Sequence, residues 1–94
     1  MNAAEMVRLV QEASGEQDVE VLQLLPAEIR YQDQTLHPLR IVRKGRQYLV
    51  ETVEFPGEWW MGELDGGTLV VWGSYGSLAE AAGGRTGESD GLRG

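Results

Sequence analysis

One histidine, His37, stands directly before Pro38, and no cysteine occurs among the 94 residues. A general-base histidine needs a nucleophile to deprotonate and a carboxylate to orient it. Ser74 and Ser77 are the hydroxyls on offer, but they lie in WGSYGSLAE, a helix-capping stretch without the nucleophile-elbow pattern. Carboxylates are plentiful: Glu51 and Glu54 flank Thr52-Val53, while Glu58, Glu63 and Asp65 surround two adjacent tryptophans. Paired acids can hydrolyse glycosides or bind hard cations. None of these spacings matches a calcium loop, and solvated strand faces account for most acids in a chain of net charge −7. The glycines of GELDGG and GSYG lack the strand-to-helix setting and the lysine of a phosphate-binding loop. The residues therefore predict no catalytic set, no metal site and no cofactor, and a protein that is not an enzyme.

Two other groups of residues suit binding. Five of the eight basic residues, Arg30, Arg40, Arg43, Lys44 and Arg46, fall between positions 30 and 46, where Asp33 is the one acid. Arg40, Arg43, Lys44 and Arg46 surround a turn, with Tyr31 and Tyr48 close in sequence. Cations interleaved with aromatics suit a nucleic-acid backbone. Cations at a hairpin tip also serve simply to solvate and protect a sheet edge, and this second reading is the stronger.

The second group is EFPGEWWMGELDGG. Neighbours on a strand point to opposite faces, so Trp59 and Trp60 cannot share one core layer. One is expected in the main core beside Trp72. The other is expected either under a helix or at the surface, where a large aromatic anchors a partner. Glu58, Glu63 and Asp65 would form the polar rim, making Trp59, Trp60, Glu58 and Glu63 the candidate partner-binding set.

The elements that must position these residues are short. NAAEMVRLVQEASG carries Asn2 as a cap, Glu5 three residues later, an apolar face of Ala3, Met6, Val7, Val10 and Ala13, and Ser14-Gly15 as a stop. DVEVLQLLP suits a strand ending at Pro26, with a second helix as the alternative. AEIRYQDQTLHPLRIV alternates around a turn at QDQ. RKG then joins LRIV to QYLVETVEF as a hairpin, through either a Lys-Gly loop or a three-residue loop with Gly45 in a bulge. Asp65-Gly66-Gly67 separates EWWMGEL from TLVVWGSY, both apolar at consecutive positions and thus in need of cover on two faces. Ser77 and Glu80 open a closing helix ended by Gly83-Gly84. The polar, glycine-rich residues 85–94 are expected to be disordered.

The stretch PAEIRYQDQTLHPLRIV, followed later by GEWW, resembles an uncharacterised small bacterial β domain that occurs alone or at the C-terminus of some Y-family-polymerase-like repair proteins. The likeness runs from Pro26 to Trp60, through Ile29, Tyr31, the turn at Asp33, and Ile41-Val42. His37-Pro38 departs from the usual middle of its strand. The resemblance brings no active site and implies a lean toward DNA-repair or interaction roles.

The expected fold is α+β: an N-terminal helix on a small, strongly bent antiparallel sheet or partly open barrel of about five strands, then a short C-terminal helix, in one domain over 1–84. No apolar run reaches membrane-spanning length and no signal peptide is apparent, so a cytoplasmic protein with no membrane association is expected. The function expected is protein interaction with an unidentified partner, with a homodimer as one form of it. The alternatives are a nucleic-acid accessory protein using the basic hairpin and an acidic inhibitor or immunity-type protein.

Overall fold

The computed structural model describes residues 1–84, so the expected tail at 85–94 lies outside the described residues. Helix α1 (Ala3–Ser14) begins where expected: Asn2 Oδ1 accepts the Glu5 N–H and the Glu5 carboxylate accepts the Asn2 N–H, both at 2.8 Å. It ends at Gly15, whose left-handed φ of 78° lets its N–H reach Gln11 O. Seven strands follow: β1 (Val19–Val21), β2 (Ile29–Tyr31), β3 (Gln34–Leu36), β4 (Pro38–Lys44), β5 (Gln47–Thr52), β6 (Trp59–Asp65) and β7 (Thr68–Tyr75). Helix α2 (Leu78–Gly83) closes the described chain, capped by the Ser77 hydroxyl on Glu80 N–H.

The strands form one sheet in the order β1-β4-β5-β6-β7-β2-β3. Three expectations are corrected here. There are seven strands rather than about five, because β2 and β3, at three residues each, are too short to display an alternation of their own. The sheet is mixed, since β2 runs parallel to β7 while every other pair is antiparallel. It is also open rather than a barrel: β1 and β3 are its two edges.

The sheet is nevertheless forced to curl. Strands β4 and β3 are five places apart in the order, which at about 4.8 Å per step would part them by roughly 24 Å in a flat sheet. Yet Leu36 ends β3 and Pro38 begins β4, joined through His37 alone, a reach of at most about 7 Å. The chain can make that corner only if the sheet bends until its β3 side comes round to β4. Proline suits the first place of such a strand, having no N–H to leave unpaired. The corner is held in place by Val53 N–H donating to His37 O at 2.9 Å and His37 N–H donating to Glu54 Oε1 at 2.9 Å.

Curling gives the sheet two separate apolar layers. The inner trough buries Ile29, Leu36, Ile41, Val50, Trp60, Leu69 and Val71. The outer face is covered by the helices, where Met6, Val10, Leu78, Ala81 and Ala82 pack on Val42, Leu49, Trp59 and Met61. Strands β5 and β6 therefore contribute alternate residues to both layers. No helix among the described residues is long and apolar enough to cross a membrane.

Turn chemistry sets the registers. The β4–β5 loop is Gly45-Arg46, because Lys44 pairs with Gln47 and Gly45 holds φ at 59°. Neither loop expected at RKG forms: the turn lies one residue later than the Lys-Gly alternative. Gly66-Gly67 makes the two-residue β6–β7 turn, with both φ values positive. On β7, Met61 pairs with Gly73 but Gly62 pairs with Val71, leaving Trp72 as an extra, bulged residue. A Cβ on Gly62 would lie 2.2 Å from Val70 O and 2.8 Å from Val71 Cγ1, so only glycine admits this approach. Gly62→Ala is expected to lower stability by about 1–3 kcal/mol, read as a reduced urea midpoint, whereas Gly73→Ala, with nothing near its added carbon, should cost much less.

Candidate functional site

Strand alternation decides what becomes of the basic hairpin. Arg40 and Lys44 share the helix-covered face with Val42, and Arg43 lies on the opposite one. Arg40 Nε donates to Glu51 Oε1 at 2.7 Å. The Arg43 guanidinium spans to Asp18 and Glu20, with Nη2 3.0 Å from an oxygen of each. That bridge holds the Asp18 carboxyl below its usual range and raises the guanidinium further. Lys44 Nζ donates to Ala82 O at 3.1 Å, tying β4 to α2. Arg46 sits exposed in the turn. Four cations that cluster in sequence are thus spread over two faces and a loop, with Arg40 and Arg43 each bound to carboxylates.

The adjacent tryptophans are both buried, at 5% exposure for Trp59 and 6% for Trp60, and on opposite layers. Trp60 lies in the trough with Tyr31 at 4.7 Å and Phe55 at 5.8 Å between ring centroids. Its buried N–H finds no acceptor among the described residues. Trp72, expected in the core, is the exposed indole at 43%. Glu58 and Glu63 are both exposed, Glu58 immediately before Trp59 and Glu63 paired with Val70 further along β6. They do not converge on one ring.

Around Trp59 the structure builds something more definite. A hollow of about 270 Å³ opens between α1, α2 and the sheet, its wall mainly apolar, with Met6, Leu9, Leu78 and Trp59 deepest and Met1, Gly57 and Ala79 nearer the mouth. Arg40 lies over the Trp59 ring, 5.4 Å from its centroid, a distance at which a guanidinium is drawn to the π-face. Glu51 fixes that cation. Its side chain is 7% exposed; Oε1 takes Arg40, and Oε2 accepts the Gly57 N–H at 2.9 Å. Thr52 Oγ1 accepts from Phe55 N–H, so the turn before Trp59 is tied to β5 at two points.

No family model, curated protein or solved structure matches this chain. The resemblance expected across Pro26 to Trp60 gains no support from these comparisons, and the reading of function rests on the geometry of the chain itself.

Arg40 and Glu51 were visible in the sequence as one cation of a cluster and one acid of many. Their pairing across β4 and β5 was not, because the register that places them opposite each other includes a bulge at Leu39. Among the described residues no three or more His, Asp or Glu side chains gather as a metal-binding group. The hollow offers an apolar floor, one fixed cation and the Ser77 hydroxyl, which is engaged in capping α2, an arrangement suited to recognition.

Two outcomes are expected. Glu51→Ala strands the Arg40 guanidinium and the Gly57 N–H, lowering stability by about 1–3 kcal/mol; Glu51→Gln, which can still accept from Gly57, should lose less in the same denaturant titration. At the corner, His37 Nδ1 meets Glu54 Oε2 at 2.5 Å, an ion pair that raises the imidazole above 6.5 and lowers the Glu54 carboxyl below 4.5. The imidazole contribution to stability is full below about pH 6.5 and is lost as pH rises through the raised value. The carboxylate contribution is full above about pH 4.5 and is lost as pH falls through the lowered value, so the latch is intact between the two. An NMR titration of His37 should give a midpoint above that of an unstructured histidine, returning toward it in Glu54→Gln.

Proposed function

We propose that this chain is a cytosolic, non-enzymatic protein-interaction module whose contact is the hollow over Trp59. The observation that carries the reading is the union of an open apolar hollow with a cation fixed over its aromatic floor. A side chain of a protein partner entering there would bury against Met6, Leu9 and Leu78 with little ordering cost, since Arg40 is already held by Glu51. Trp59, only 5% exposed, serves as a rigid floor beneath Arg40 rather than as a projecting anchor. Charge favours a partner with basic residues at its rim. Glu58 lies between the lining residues Gly57 and Trp59, and the Glu80 carboxylate accepts the N–H of the lining residue Gly76 at 3.1 Å.

The nucleic-acid alternative is less well supported, since Arg40 and Arg43 are already bound to carboxylates and the four basic residues do not form one surface. Ala79 gives a direct test, because it is exposed at the mouth and contributes nothing to the core. Ala79→Arg should fill the hollow and place a cation against a basic partner while leaving the melting temperature unchanged. Affinity capture from the native cell, run with wild type and Ala79→Arg side by side, is expected to lose one stoichiometric protein from the variant alone. A partner held equally by both, or copurifying nucleic acid that disappears with Arg46→Ala, overturns the proposal.

A further inference from the structure

A second surface lies apart from the hollow, on the same face of the sheet but beyond the reach of the helices. Leu69 and Val71 of β7, Ile29 and Tyr31 of β2 and Leu36 of β3 face the inner trough. The residues between them, Val70, Arg30 and Thr35, therefore face outward. Glu63 joins them on β6, in phase with Met61 of the outer layer. The registers place these residues in a single row across four strands: Glu63 opposite Val70, Val70 opposite Arg30, and Arg30 opposite Thr35. Glu63, Arg30 and Thr35 are exposed and Val70 is half-buried. Trp72, the extra residue at the bulge on the same strand, adds a 43% exposed indole beside this row.

The order of charges along this row is what identifies its partner. An acid stands one strand to one side of β7 and a base one strand to the other, with apolar Val70 and Trp72 on β7 itself. A two-fold axis lying along β7, in the plane of a face-to-face contact, exchanges the β6 and β2 positions. It would set Glu63 of each copy over Arg30 of the other and bring Val70 onto Val70 and Trp72 onto Trp72. A patch that complements itself under a two-fold rotation is what an isologous dimer requires. A partner of one uniform charge would meet repulsion from either Arg30 or Glu63. We propose that a second copy of this chain packs on this face, with β7 on the axis and two reciprocal Arg30–Glu63 pairs flanking a centre of Val70 and Trp72.

The proposal is independent of the hollow over Trp59, and Ala79→Arg should leave it untouched. Sedimentation equilibrium of the full chain over a range up to high micromolar concentration is the test, with far-ultraviolet circular dichroism confirming that each variant is folded. Wild type should pass from monomer to dimer with concentration, and its tryptophan emission should shift to shorter wavelength over the same range, because Trp72 is the indole left to be covered. Arg30→Glu and Glu63→Arg should each weaken the dimer roughly tenfold or more, and the double variant, which restores opposite charges across the axis, should recover it. Trp72→Ser should weaken it as well. A chain that stays monomeric throughout, or a dimer that neither charge reversal weakens, or one that both weaken and the double variant fails to restore, overturns the proposal.

Discussion

The chain passes from β3 to β4 through a single residue, and most of the molecule follows from that corner. Two strands five places apart in the sheet cannot be covalent neighbours unless the sheet bends, so the connection at His37 converts a seven-stranded sheet into a trough. Bending makes the inner face a core without a second layer of elements to cover it: Leu36 on one side and Ile41 on the other close over Trp60 and Val50. The outer face is then left to α1 and α2. The double-sided apolar character of β5 and β6 is thus satisfied twice, by curvature within and by helices without. His37–Glu54 and the Val53–His37 bond hold the two ends of the corner to the β5–β6 turn, which explains an isolated histidine without assigning it chemistry.

Much of this was legible wherever a local physical rule has a local sequence signature. Asn2 and Glu5 announced the start of α1, Ser77 and Glu80 that of α2, and Asp65-Gly66-Gly67 the hairpin between β6 and β7. The consecutive apolar residues at Trp59-Trp60-Met61 announced that both faces needed cover. What was not legible depends on distant partners. Strand β2 joins β7 in parallel across more than thirty residues, and nothing in IRY declares which strand it will meet. The turn at Gly45-Arg46 lay one residue from its expected place because a lysine preceding a glycine can end a strand as readily as enter a turn. Trp72 was expected in the core because its strand is apolar at consecutive positions, but it falls at a bulge and stays 43% exposed.

The binding residues show the same division. Arg40, Arg43, Lys44 and Arg46 are neighbours in sequence, and the two-residue period of a strand disperses them. Each cation on β4 then meets what its own face provides: Glu51 and the Trp59 ring for Arg40, Asp18 and Glu20 for Arg43, the end of α2 for Lys44. Much of the basic charge that looked available for phosphate is consumed inside the fold. Three acids that looked like surplus, Asp18, Glu20 and Glu51, are structural for the same reason. The candidate contact at Trp59 therefore could be guessed at in type, as an aromatic with acids nearby, while the cation that completes it came from another strand.

Why an indole should remain at the surface follows from the widths of the two layers. Seven strands laid side by side measure about 29 Å across even before curvature is considered, whereas two helices in contact cover about 20 Å. The helical layer must leave part of the outer face bare. Which part is fixed by connectivity: α1 leads into β1 at one edge, and α2 follows directly from the end of β7 and packs back over β5, β6 and β7 toward α1. The bare part thus falls at the β2–β3 side and on the hairpin end of β6 and β7, where Val70 and Trp72 lie. Stability of the single chain does not call for an aromatic there, since Trp72 is left 43% exposed to solvent. An exposed tryptophan held on a rigid strand, two residues along from a valine flanked by an acid and a base, has a structural rationale once that face is covered by another molecule.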